Sequence, residues 1–306
     1  MRLSVRPAPR IRGKITLPGD KSIASRSLII SALSQGKTVI DNFPVNKDSL
    51  ATLRALKALH VPISLNLKTN KVTVYGRGLK GLKRAEGPVF VSDSGTTLRL
   101  MLGVLAGQDF STKLVAGKSL SLRPMRRVTV PLRMMGAKIK SGVRRQEAGA
   151  EEYPPITIKG GDLRAITYKL PVASAQVKSA ILLAGLYAEG ATRVIEPVKT
   201  RDHTERMLSL FRADLKIKQD GIIIKGKKAL VSPGKIHIPA DISSASFFLV
   251  LAAILPDAQV TLKNVGLNPT RNGVIRVLRR MGADIRITYS APVSYTHLTL
   301  PTKRIV

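Results

Sequence analysis

A mixed α/β fold assembled from repeated βαβαββ units is predicted for this 306-residue chain by three features of its sequence. The first is a recurring pair of helices. Strongly apolar helices are expected near residues 26–34, 95–106, 174–188 and 243–255. Amphipathic ones follow near 48–59, 124–135, 202–211 and 270–281, with apolar residues at three- and four-residue steps such as Leu50, Leu53, Leu56 and Leu59. The second is a recurring helix end: Leu59-His60-Val61, Met135-Gly136-Ala137, Phe211-Arg212-Ala213 and Met281-Gly282-Ala283 stand 76, 76 and 70 residues apart. Gly136 and Gly282 suit the left-handed conformation that closes a helix, and alternating strands follow them. The third is a strand-to-helix corner, Leu17-Pro18-Gly19-Asp20, echoed by Ile238-Pro239-Ala240-Asp241 and more loosely by Leu170-Pro171-Val172-Ala173. Two such corners about 220 residues apart mark candidate crossings between domains, because a Pro stops one element and fixes the turn. The pattern leaves open whether sheets cover the helices or the reverse.

An apolar share of 44% suffices for packed cores in two domains of ordinary size. Cysteine is absent, which excludes disulfides and thiolate metal sites. The four histidines, at 60, 203, 237 and 297, lack metal-ligand spacing, so neither a metal nor a cofactor is expected. The apolar run Phe247 to Leu255 is too short to span a bilayer, and the basic N-terminus has no apolar signal core. A soluble, cytoplasmic monomer is the expectation. The net charge of +32 raises nucleic-acid binding as a rival. Against it, Lys and Arg are scattered rather than clustered, and aromatics for base stacking make up 4% of the chain. A positive field equally suits small polyanionic ligands.

Several helix starts carry the means to hold an anion, since first-turn amides are unpaired and carry partial positive charge. Lys21, Ser22 and Arg26 flank the first. Asp93-Ser94-Gly95-Thr96-Thr97-Leu98-Arg99 opens the second, with Gly95 permitting close backbone approach. Ser174-Ala175-Gln176-Val177-Lys178 opens the third, a polar cap with a cation one turn in. Arg123 precedes an amphipathic helix with Pro124 in its first turn, and Arg201 stands before Asp202 and Glu205, where a capping box is expected. Each is equally readable as an ordinary helix start, and capping is the expected role of Asp20, Asp48, Asp93, Asp202 and Asp241. Together they make an anion site only if the fold brings them together.

These strings resemble the 5-enolpyruvylshikimate-3-phosphate synthase family of enolpyruvyl transferases. The resemblance rests on Pro-Gly-Asp-Lys-Ser at 18–22 with Arg26, Ser-Gly-Thr-Thr-Leu-Arg at 94–99 and Arg-Pro-Met at 123–125. It continues through Pro-Val-Ala-Ser-Ala-Gln-Val-Lys-Ser-Ala at 171–180, Thr-Arg-Asp-His-Thr-Glu at 200–205 and Asn-Pro-Thr-Arg at 268–271. It implies inverse α/β barrel domains of three βαβαββ units each, closing over shikimate 3-phosphate and phosphoenolpyruvate. Lys21, Ser22, Arg26, Ser174, Gln176 and Arg201 would hold shikimate 3-phosphate, and Lys21, Gly95, Arg123 and Gln176 would face phosphoenolpyruvate. The implied reaction adds the 5-hydroxyl to the protonated enolpyruvyl group and then expels phosphate. Gly95 implies the glyphosate-sensitive form. A related transferase acting on a UDP-sugar is the second family reading, but its usual cysteine is missing.

Two local departures are expected to leave the phosphate ligands intact, and a larger one lies at the far end of the chain. Ser25 replaces the His usual before Arg26, which alters local hydrogen bonding, and Ala175 stands where some members carry a second Ser. The family has six units and four are visible, so residues 18–238 are expected to form a complete domain, and 1–17 with 239–288 part of a second. Residues 289–306 follow neither the family nor the repeat and are expected to be a foreign or frameshifted tail. The family's acid and base residues belong to the missing region, so the chain as given is expected to have little turnover.

Overall fold

The computed structural model describes residues 10–146, 149–289 and 302–305. The elements begin with β1 (Arg12–Thr16), α1 (Lys21–Ala32), β2 (Ser34–Gln35), β3 (Lys37–Asp41), α2 (Lys47–Ala58), β4 (Ile63–Asn66) and β5 (Lys71–Tyr75). Next are β6 (Val89–Phe90), α3 (Gly95–Ala106), β7 (Ser111–Val115), a 3-10 turn at Leu120–Leu122, α4 (Arg126–Met134), β8 (Lys138–Gln146) and β9 (Gly149–Lys159). A third run holds β10 (Thr167–Lys169), α5 (Ala175–Gly185), β11 (Ala191–Ile195), α6 (His203–Leu210), β12 (Asp214–Lys218) and β13 (Gly221–Lys225). The last holds β14 (Leu230–Val231), β15 (Lys235–His237), α7 (Ile242–Ile254), β16 (Gln259–Gly266), α8 (Gly273–Arg280), β17 (Ile287–Tyr289) and β18 (Thr302–Ile305).

Four sheets share one plan. In the third run, β10 lies parallel to β11, β11 antiparallel to β13, and β13 antiparallel to β12. The orders β6-β7-β9-β8, β15-β3-β5-β4 and β1-β16-β18-β17 repeat it. Two sheets have exchanged their first strand: β1 precedes α1 in the chain yet pairs with β16, and β15 precedes α7 yet pairs with β3. The exchange happens at the two Pro corners, where Asp20 N–H donates to Pro239 O at 2.8 Å and Asp241 N–H to Pro18 O at 3.1 Å. Accordingly the chain forms two compact units, Lys21–His237 and Met1–Asp20 with Ile238–Val306.

In the larger unit the sheets lie outside. Every residue of α1 after Lys21 is buried, as are all of α3 except Thr96 and Arg99 and all of α5 except Gln176. A fully buried Leu or Ile contributes roughly 2 kcal/mol, so these three helices carry most of the core. By contrast α2, α4 and α6 bury one face, and β3, β5, β7 and β11 alternate inward and outward. Close packing explains several glycines that pattern alone does not. A Cβ on Gly76, Gly160 or Gly226, each just after the last strand of its repeat, would come within 2.0–2.4 Å of a carbonyl at or just beyond the end of α1, α3 or α5.

The recurring helix end is one motif built four times. Val61, Ala137, Ala213 and Ala283 N–H donate to the carbonyls of Leu56, Leu132, Leu208 and Leu278. His60, Gly136, Arg212 and Gly282 stand between at φ of 61°, 114°, 60° and 93°. This is the Schellman arrangement. Glycine signals it at two sites, while His60 and Arg212 adopt it without that signal.

The expected helix limits shift in places. The first apolar helix starts at Lys21, directly after the Pro-Gly corner, rather than near residue 26. Pro124 lies outside α4, ahead of its cap residue Met125, and Pro131 sits within the helix. In the smaller unit α7 buries only Ile242, Ala245 and Leu249, and exposes Phe247, Val250, Leu251 and Ile254. Most of the stretch set aside as a tail, residues 290–301, is outside the described residues. Residues 302–305 form β18, which pairs with β16 and β17.

Candidate functional site

The residues of α1, α3 and α5 that escape burial are Lys21, Thr96, Arg99 and Gln176, and all lie in the first five positions of their helices. Hydrogen bonds tie these starts together. Gln176 Nε2 donates to Thr96 Oγ1 at 3.0 Å, and Arg99 Nη1 donates to Gln176 Oε1 at 2.7 Å. Arg99 Nη2 reaches Pro124 O at 3.4 Å, next to Arg123. Arg201 Nη1 donates to Ser22 Oγ at 3.4 Å, beside Lys21. Arg26, buried, donates from Nε to Thr204 Oγ1 at 2.7 Å, from Nη2 to Ser179 Oγ at 2.9 Å and from Nη1 to Ser22 O at 2.9 Å. The helix starts the sequence singled out therefore converge on one end of the larger unit.

The electrostatics there favour an anion. Arg99 has its pKa lowered by burial and then by the charges of Arg123 and Arg127. Three like charges held together are stabilised by a negative ligand. Gly95 shapes the same corner: a Cβ there would meet Arg99 Nη1 at 2.7 Å. Ser94 and Ser174 cap α3 and α5, accepting from Thr97 N and Val177 N at 3.3 Å each.

Several expected roles are corrected. Ser22 does not flank the start of α1 but lies inside it, and its hydroxyl accepts from Arg201. Lys21 Nζ pairs with Asp48 Oδ2 at 3.0 Å. Asp93 braces the 3-10 turn through Leu120 N at 2.8 Å, and Asp202 pairs with Arg206 at 2.7 Å. Asp241 keeps the expected capping role, accepting from Ser243 N at 2.9 Å. The replacement at Ser25 has a local partner, since Thr52 Oγ1 donates to Ser25 Oγ at 3.0 Å and contacts Thr97 Oγ1 at 2.7 Å.

Lys178 is the largest surprise. Expected as an anion-facing cation, it is fully buried, with Nζ 2.9 Å from Glu196 Oε2 and 2.5 Å from Glu205 Oε1. Glu205 therefore makes no capping box. Burial pushes its pKa up, against the pull of Lys178 and its own helix start, with Glu196 adding to the rise. Glu196 Oε1 in turn accepts from Thr200 N at 3.2 Å and from Thr200 Oγ1. The pattern reading had also passed over Arg99, Ser179 and Thr204. The signals were present: Arg99 is one turn beyond Gly95, and Ser179 interrupts an apolar helix where a buried hydroxyl needs a partner.

Comparison with known proteins places the chain in a family. Residues 5–304 match the family described as EPSP synthase (3-phosphoshikimate 1-carboxyvinyltransferase). The chain is 49% identical over 277 residues to the 3-phosphoshikimate 1-carboxyvinyltransferase of Bacillus licheniformis, covering 90% of this chain and 63% of that protein. Against the protein of that name from Alkalilimnicola ehrlichii it is 50% identical over 288 residues, covering 94% and 63%. A solved structure of EPSP synthase from Acinetobacter baumannii superposes with a TM-score of 0.84 at 44% identity, over 96% of this chain and 63% of that one. The chain belongs to the EPSP synthase family of transferases and has its fold. It spans about 63% of the length of these relatives. No helix among the described residues is long and apolar enough to cross a membrane, and no His/Cys/Asp/Glu group there could hold a metal.

Proposed function

We propose that this chain binds shikimate 3-phosphate and phosphoenolpyruvate for transfer of the enolpyruvyl group to the 5-hydroxyl. The observation that carries this reading is the meeting of three helix starts with Arg201, Arg99 and Lys21 in one unit. In this reading Lys21, Ser22, Arg26, Ser174, Gln176 and Arg201 hold shikimate 3-phosphate, with Arg26 acting from within the bonded layer beneath. Lys21, Gly95, Arg123 and Gln176 face phosphoenolpyruvate, and Lys21 exchanges its Asp48 partner for the ligand. Arg99 joins them as a further cation.

Transfer needs negative charge on two phosphates and a carboxylate offset by fixed cations, and a group that moves protons. The residues named supply the first. Glu196 and Glu205 are engaged by the buried Lys178, and no residue is given the proton-transfer role. Calorimetric titration tests the reading: saturable binding of shikimate 3-phosphate that Arg201→Ala weakens at least tenfold, about 1.4 kcal/mol, is expected. Failure to saturate, or equal binding of duplex DNA undisturbed by the ligand, contradicts it.

A further inference from the structure

We infer that Lys178 is a positioning residue for Arg201, the buried hub that fastens the segment carrying Arg201 to α5. This rests on the binding role given to Arg201 above. Lys178 emerges from α5 two residues after Gln176 and is enclosed. One carboxylate partner, Glu196, directly follows β11 and holds Thr200 through both its backbone N–H and its hydroxyl. Thr200 is the neighbour of Arg201, whose guanidinium reaches Ser22 at 3.4 Å. The other partner, Glu205, sits in the first turn of α6. Lys178 therefore grips both ends of residues 196–205, and the arginine lies between the grips.

A second tie, built on two hydroxyls, runs alongside. Ser179 Oγ and Thr204 Oγ1 lie 2.6 Å apart, and Arg26 donates to both. That tie joins α5 to α6 at Ser179 and Thr204, whereas the charged one reaches Thr200, the neighbour of Arg201, through Glu196 and so bears directly on where Arg201 stands. A lysine suits the task because its ammonium has three donors to share between two carboxylates on different elements.

Lys178→Met would leave two carboxylates facing each other in the interior and endanger the fold, so the decisive variant is Glu196→Gln. It keeps an acceptor oxygen for Thr200, removes the charge that Lys178 grips, and leaves one positive and one negative group buried. The chain should stay folded, with the amide of Thr200 exchanging its hydrogen about tenfold faster and α1 unchanged. Affinity for shikimate 3-phosphate should fall about tenfold in the parent chain and not fall further in an Arg201→Ala background, because the two changes act through one group. Unchanged Thr200 exchange, unchanged affinity, or an equal added loss in the Arg201→Ala background overturns the inference. If the parent chain does not bind shikimate 3-phosphate at all, the functional reading fails, and Thr200 exchange alone decides whether Lys178 and Glu196 fasten this segment.

Discussion

Arg99 Nη1 donates to Gln176 Oε1 at 2.7 Å, joining α3 to α5 at their first turns, and a Cβ on Gly95 would stand 2.7 Å from the same nitrogen. Gly95→Ala therefore displaces the tip of a flexible side chain rather than backbone. Stability should change by under about 1 kcal/mol, while affinity for phosphoenolpyruvate, or for glyphosate, measured with shikimate 3-phosphate present, should fall about tenfold. Unaltered affinity would separate Gly95 from the anion site.

The four Schellman ends differ in the residue asked to adopt positive φ. His60 and Arg212 carry a steric cost of about 1 kcal/mol that glycine avoids. His60→Gly and Arg212→Gly should each raise stability toward urea by up to about 1 kcal/mol, and Gly136→Ala should lower it by a similar amount. A loss of stability in His60→Gly would contradict the shared motif.

At the strand exchange, Arg271 links Asp20 at 2.5 Å and Asp241 at 3.3 Å, and also bonds Ser243. All three charged side chains are largely enclosed. Replacing Arg271 with Leu strands two carboxylates and should cost about 3 kcal/mol. Chemical unfolding checks this, and Arg271→Lys should recover part of the loss, since one ammonium cannot reproduce the fork.

Two glutamates should bend the pH dependence of stability in opposite directions. Burial raises the pKa of Glu152, but Arg133, Ser141 and Thr129 outweigh it, and the net shift is below the usual 4.5. Its contribution is present above that value and lost as pH falls through the lowered one. Glu205 is shifted up, so its contribution is present below the usual value and lost as pH rises through the raised one. Glu152→Gln should flatten the acid limb of a stability–pH curve, and Glu205→Gln the limb above it.

Much of this architecture is written in periodicity. The apolar and amphipathic helices repeat because α1, α3 and α5 are enclosed on all sides while α2, α4 and α6 are enclosed on one. The exchange of β1 and β15 is marked only by paired Pro corners, since their strand partners lie 247 and 196 positions away. At the site, short strings point to Lys21, Gly95, Gln176 and Arg201 as helix-start residues. Lys178 was misread because a cation one turn into a helix looks the same in sequence whether it meets solvent or two buried glutamates. Its partners, 18 and 27 residues further on, are brought to it by packing alone.

The central claim is that amide-rich, cation-flanked helix starts of the larger unit form one receptor for a phosphorylated ring. A crystal structure of the chain grown with shikimate 3-phosphate tests it most directly. The account predicts ligand within hydrogen-bond reach of Ser22, Ser174, Gln176 and Arg201 together. Ligand bound elsewhere, or a crystal grown at saturating ligand in which these four side chains touch none of it, would contradict the account.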